Sequence, residues 1–129
     1  MIDKNEKLFA GNYLMYHSDT DMICKLDATD VFNIATGYME NDKIHSPIPL
    51  TPELLIDCGF QKQNNAEWFF EYSNDDFIVV KQLLKIEVYL CFDRDIYIEV
   101  EQEQIHYLHQ LQNLYYALTG TELIYTPKQ

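Results

Sequence analysis

The residues best suited to chemistry in this chain are two histidines, His106 and His109, set three apart. On a helix that spacing puts both imidazoles on one side, where they could ligate a single metal ion. A third ligand would have to come from His17, His45 or a distant carboxylate, and no cluster in the sequence singles one out. The expectation is therefore no metal, with the pair acting as helix-surface groups bonded to neighbours or water. Nucleophilic chemistry has little more behind it. Ser18, Ser46 and Ser73 fall in turns or loops, and none occupies a G-x-S-x-G elbow. Cys91, on the non-core side of its strand, is the thiol to inspect, because a histidine partner would be met only through the fold. The glycines, Gly11, Gly37, Gly59 and Gly120, form no cluster, which excludes a P-loop and a dinucleotide fingerprint. No catalytic residue and no cofactor is expected.

Carboxylates offer a sharper pattern. Ile86, Val88, Leu90 and Phe92 alternate with Glu87, Tyr89 and Cys91, and Ile96, Ile98 and Val100 alternate with Tyr97, Glu99 and Glu101. With Asp93-Arg94-Asp95 as the loop, Phe92 opposes Ile96, Leu90 opposes Ile98 and Val88 opposes Val100. One face becomes wholly apolar, and a slip of one residue would destroy it. On the other face Glu87 opposes Glu101 and Tyr89 opposes Glu99. Like charges directly across a ladder are destabilising unless water screens them or a partner supplies a cation. Glu87, Tyr89, Tyr97, Glu99 and Glu101 are thus candidate partner-binding residues. A second candidate set, His109, Asn113 and Tyr116, lies on the polar side of the last helix. That side also carries the large, apolar-bodied Ile105 and Tyr116, so it is expected to cover a neighbouring strand or a partner.

Positioning these residues requires a regular scaffold. Residues 12–17, 22–26 and 31–36 read as short strands between turn-forming segments, and 37–49 as a mobile loop. Thr51 and Pro52 open a short helix, as cap and first helical residue, and Gly59 closes it with Phe60 folding back on Leu55. Residues 66–72 and 77–81 flank the turn Ser73-Asn74-Asp75-Asp76. In the last helix, Tyr107, Leu108, Leu111, Leu114, Tyr115 and Leu118 share an arc of about 120°, the width of one buried face, and Gly120 ends it. The last helix should lie across the apolar face of the final hairpin. The order predicts a single α+β domain over residues 1–129: an antiparallel sheet or partial barrel of about seven short strands, a short middle helix and a longer C-terminal helix.

Nine Lys and Arg face 21 Asp and Glu, a formal charge of −12. Such a chain repels phosphates, so direct DNA binding is not expected, while a basic protein partner suits it. Ten tyrosines against one tryptophan point the same way, since a tyrosine can pack its ring at an interface and keep its hydroxyl wet. Cys24, Cys58 and Cys91 have no metal-ligand spacing and read as buried thiols of a reducing cytoplasm. The charged residues 1–7 lack the apolar run of a signal peptide, and no window has the length of a membrane span. The expected location is the cytoplasm.

Three segments carry a family resemblance. His109-Gln-Leu-Gln-Asn-Leu-Tyr-Tyr-Ala-Leu-Thr-Gly120-Thr-Glu-Leu123 resembles the terminal signature of a family of small uncharacterised proteins from Bacteroidetes, their phages and mobile elements. Ile48-Pro-Leu-Thr-Pro-Glu-Leu-Leu55 with Cys58-Gly-Phe-Gln-Lys62 is similar to that family's internal segment, and Leu8-Phe-Ala-Gly-Asn-Tyr-Leu14 to its opening strand. The resemblance implies a phage or mobile-element context and no catalytic residues. The chain departs from the family around Glu99-Val100-Glu101-Gln102-Glu103, which is longer and more acidic. The expected function is that of a non-enzymatic interaction protein, an inhibitor that binds a basic host protein such as a nucleic-acid-guided nuclease of a CRISPR system. The alternatives are a structural or housekeeping phage protein and, third, a small hydrolase-like enzyme.

Overall fold

A computed structural model of the chain describes residues 1–3, 6–64, 66–82, 85–93, 96–100 and 105–127. The elements run β1 (Tyr13–Tyr16), β2 (Met22–Lys25), α1 (Ala28–Thr36), α2 (Asn41–Ile44), β3 (His45–Ser46), α3 (Pro52–Asp57), β4 (Gln61–Asn64), β5 (Glu67–Ser73), β6 (Asp76–Gln82), β7 (Ile86–Phe92), β8 (Ile96–Val100) and α4 (Leu108–Thr119). The α+β class and the antiparallel pairing are as expected. The strands, however, form two sheets in place of one: a small sheet ordered β2-β1-β3 and a five-stranded meander ordered β4-β5-β6-β7-β8.

Two local expectations fail in the first half. Residues 31–36 belong to helix α1 and are not a strand. Asp27 and Asp30 form a reciprocal capping box, each side chain accepting from the other's backbone N–H at 2.8 and 3.0 Å. Gly37, at φ 70°, closes the helix in the left-handed region. The aspartate-bearing stretch before Val31 is therefore a helix start and not a turn between strands. Residues 37–49 are also more ordered than a loop. They hold a single 3-10 turn at Tyr38–Glu40, then α2, then β3 paired to β1.

Elsewhere local sequence and structure agree. The Thr51 hydroxyl accepts from Leu54 N–H, and Phe60 N–H reaches back to the Leu55 carbonyl at 2.9 Å while Gly59 N–H bonds Ile56. This is the two-bond termination that a glycine just past a helix permits. The β7–β8 register is Val88↔Val100, Leu90↔Ile98 and Phe92↔Ile96, as the alternation requires.

The main core lies between one face of the five-stranded sheet and helices α3 and α4. It gathers Leu54, Leu55, Phe60, Trp68, Ile78, Val80, Val88, Leu108 and Leu111. Tyr115 adds an edge-on ring contact with Phe70 at 5.3 Å. Helix α4 does not extend over the whole final hairpin, since Ile96 and Ile98 remain 54% and 51% exposed on the edge strand. A smaller cluster of Ile2, Leu14, Leu26 and Ile34 joins the small sheet to α1. Strand β1 serves both, with Tyr13 in the main core and its neighbour Leu14 in the small one, as alternation across a strand dictates. Among the described residues no helix is long and apolar enough to cross a membrane.

Candidate interaction surface

The meander sends every second residue to its other face, where three rows cross the strands. Glu67, Lys81 and Glu87 form the first, Phe69, Val79, Tyr89 and Glu99 the second, and Glu71, Phe77, Cys91 and Tyr97 the third. Apolar and aromatic residues occupy the middle and carboxylates the margin. The candidates Glu87, Tyr89, Tyr97 and Glu99 are thus brought onto one surface, while Glu101 lies outside the described residues. Phe69, Phe77 and Val79 complete the surface and were not singled out from sequence. The available signal was the unbroken apolar run at residues 77–80, since strands that alternate cleanly have one wet face and this one does not.

The centre of this face is a shallow cavity of about 310 Å3 lined by Gln63, Phe69, Phe77, Val79, Cys91 and Tyr97. Gln63 and Tyr97 come from opposite edge strands. Neighbouring strands lie about 4.8 Å apart, so the edges of a flat five-stranded sheet would stand roughly 19 Å apart, and the cavity draws side chains from both edges toward the middle of the face. Val79 and Cys91 form its floor, 7% and 4% exposed, whereas the Tyr97 side is 63% exposed at the rim. Phe69 and Phe77 meet edge to face at 6.0 Å. Cys91, the thiol flagged from sequence, is buried in this floor and its environment holds no histidine among the lining residues.

Electrostatics at the rim are lopsided. Lys81 is the one cation among the described outward residues, and it is engaged: its ammonium lies 3.5 Å from Glu67 and 5.0 Å from the Tyr89 ring centre. Tyr89 donates to Glu87 at 3.4 Å, and the second Glu87 oxygen is buried with no hydrogen-bond partner among the described residues. Desolvation pushes the Tyr89 phenol up, and the charges of Glu87 and Glu99 push it further. The Tyr97 phenol is also raised, chiefly by Cys91 beside it, with Glu67 adding to the rise and Lys81 opposing it.

The polar side of α4 is indeed covered, by the chain's own beginning. His109 is fully buried and its Nε2 donates to Glu6 at 2.7 Å. It is therefore no surface group, and it does not reach the open sheet face. Burial holds its pKa below the ordinary value, against the opposing pull of Glu6. The Gln112 side chain bonds Tyr13 N–H at 2.9 Å and the Gly11 carbonyl at 3.0 Å, acting as a strand neighbour would. Asn113 accepts from Asn12 at 2.8 Å and donates to the Lys7 carbonyl. Only Tyr116 of this set, 57% exposed, remains open to a partner. The other histidine of the pair, His106, is exposed. No group of three His, Cys, Asp or Glu that could hold a metal ion occurs among the described residues.

One constellation was not legible in the sequence. His17 Nδ1 lies 3.2 Å from Asp21, and its Nε2 lies 2.7 Å from the Ser46 hydroxyl. The connectivity is that of an acid-base-nucleophile triad. What acyl transfer also needs is a pair of N–H donors for the oxyanion. Pro47, directly after Ser46, has no N–H to give, and Ser46 itself is laddered to Met15 in β3. With the His17 and Asp21 side chains 41% and 58% exposed, water is not excluded either. The arrangement ties β3 to the turn after β1.

No protein-family model, curated protein or solved structure matches the chain. The functional reading therefore rests on the surface itself.

Proposed function

We propose that this is a non-enzymatic interaction protein whose concave sheet face binds a basic protein surface. The observation that carries the proposal is an aromatic centre, partly exposed among the described residues, beside a margin that carries Glu67, Glu71, Glu87 and Glu99. Aromatic centres with charged rims are what protein interfaces bury, and complementary charge steers the encounter. A net charge of −12 extends the same field over the molecule. The concrete partner we put forward is a cytoplasmic, nucleic-acid-guided host nuclease, whose groove is basic because it holds phosphates. The resemblance of residues 109–123 to proteins of phages and mobile elements supports that choice, with inhibition as the consequence.

The test is capture from host lysate by the immobilised protein, compared with a variant carrying Glu71→Lys and Glu99→Lys, both at exposed positions. A partner retained at low salt, released as salt rises and lost by the charge-reversed variant is the expected result. Equal retention by both proteins, or retention indifferent to salt, removes this face from consideration.

A further inference from the structure

We infer that the cavity on the concave face is an anchor site for one arginine side chain of the partner. This rests on the proposed binding of a basic partner and names what enters the site. Phe69, Phe77 and Tyr97 line the cavity, with Val79 and Cys91 as its floor. Aromatic rings attract a cation through their negative faces, and the attraction grows as water is removed. The described residues already make the same interaction three times, with Lys81 over Tyr89 at 5.0 Å, Lys62 over Trp68 at 5.7 Å and Lys25 over Tyr13 at 6.0 Å.

Charge complementarity selects a cation over an apolar anchor. Glu71 is paired across the ladder with Phe77 and Glu99 follows Tyr97 by two on the same face, while Glu67 and Lys81, paired with each other, act on the Tyr97 phenol in opposite senses. Lys81 cannot fill the site from within, since Glu67 and Tyr89 hold it outside the lining. Arginine fits better than lysine for two reasons. Its guanidinium is planar and lies flat on rings, and it is more weakly hydrated, so it enters an apolar cavity at smaller cost. The Gln63 carboxamide on the lining supplies a neutral acceptor, and the volume of about 310 Å3 accommodates a guanidinium with its aliphatic stem.

The experiment is fluorescence anisotropy at low salt with three labelled octapeptides, made of arginine, lysine or uncharged citrulline. The arginine peptide is expected to bind about tenfold tighter than the lysine peptide, and the citrulline peptide not at all. Phe77→Leu with Tyr97→Leu keeps apolar bulk and removes two of the three rings. It should abolish the preference for arginine while leaving the salt-sensitive affinity shared by both cationic peptides. Glu71→Lys with Glu99→Lys should instead weaken both. Equal affinity for arginine and lysine in the unmodified protein overturns the anchor site and leaves the basic-partner reading standing. So does an arginine preference that survives loss of the rings. Failure of both cationic peptides to bind overturns the two together. Single Phe77→Leu and Tyr97→Leu proteins keep the test decisive should the double variant fail to fold.

Discussion

The two faces of the five-stranded sheet are both apolar at the centre, yet the described helices cover only one. On the covered face Trp68, Ile78, Val80 and Val88 are shut away by helices α3 and α4. On the concave face the comparable central positions, Val79 and Cys91, are shielded, among the described residues, by side chains of their own sheet. The first arrangement is how a domain holds itself together. The second leaves aromatic surface in water beside a row of carboxylates, an arrangement that a purely structural face would not need. Apolar pattern alone says which faces avoid water; the fold says which of them is still open.

The sharpest way to break this contrast is to truncate a central residue of the covered face. Ile78 has no exposed surface and packs within the main core. Ile78→Ala should cost about 2–5 kcal/mol of unfolding free energy, the range for removing a buried branched side chain. Chemical denaturation measures it. A loss under about 1 kcal/mol would mean that the helices do not cover this face as described.

A second expectation concerns what holds the cover in place from behind. Helix α4 is fixed to the start of β1 by Gln112, whose amide satisfies both Tyr13 N–H and the Gly11 carbonyl. Gln112→Leu keeps the bulk and leaves both backbone groups unpaired in a buried setting. The cost should be about 2 kcal/mol, in line with the penalty for orphaned buried polar groups. Wild-type stability in this variant would show that the helix is held by its apolar side alone.

The same seam predicts a pH dependence. His109 has a folded pKa below its unfolded value near 6.5, because desolvation opposes the imidazolium more than Glu6 favours it. Between those two values the unfolded chain binds a proton that the folded chain does not, so stability falls as the pH drops below about 6.5. The contribution is fully present above that pH and lost as the pH falls through the folded pKa. His109→Gln can still donate to Glu6 and does not titrate. Denaturation at pH 7.5 and 5.5 should therefore show a smaller difference in this variant than in the unmodified protein. An equal difference would mean that His109 does not carry the pH dependence.

How far this was legible in the sequence follows from the range of the interactions involved. The register of β7 and β8 was readable because alternation over a few neighbouring residues fixes it, and α3 because Thr51, Pro52 and Gly59 each act within one turn. Helix α1 was also written locally, in Asp27 and Asp30, but as a capping box that resembles a turn. The environment of His109 was not readable at all. Its partner, Glu6, is 103 positions away, and only the packing of the N-terminal segment on α4 brings them together. The open face was half readable. Glu87, Tyr89, Tyr97 and Glu99 followed from one hairpin, whereas Phe69 and Phe77 joined them through pairings among β5, β6 and β7.

The smallest effect should come from the rim of the open face. Tyr97 lies on an edge strand and is 63% exposed, so its ring gives up little burial when removed. Tyr97→Ala should shift unfolding free energy by less than about 0.5 kcal/mol, as for surface positions generally. A cost above about 1.5 kcal/mol would mean that Tyr97 is a structural cover for Val79 and Cys91. The concave face would then be a second small core, closed by its own rings, and the contrast between the two faces would disappear. A near-neutral Tyr97→Ala that nevertheless weakens binding of the arginine peptide separates the two roles cleanly, because stability and recognition would then be carried by opposite faces of one sheet.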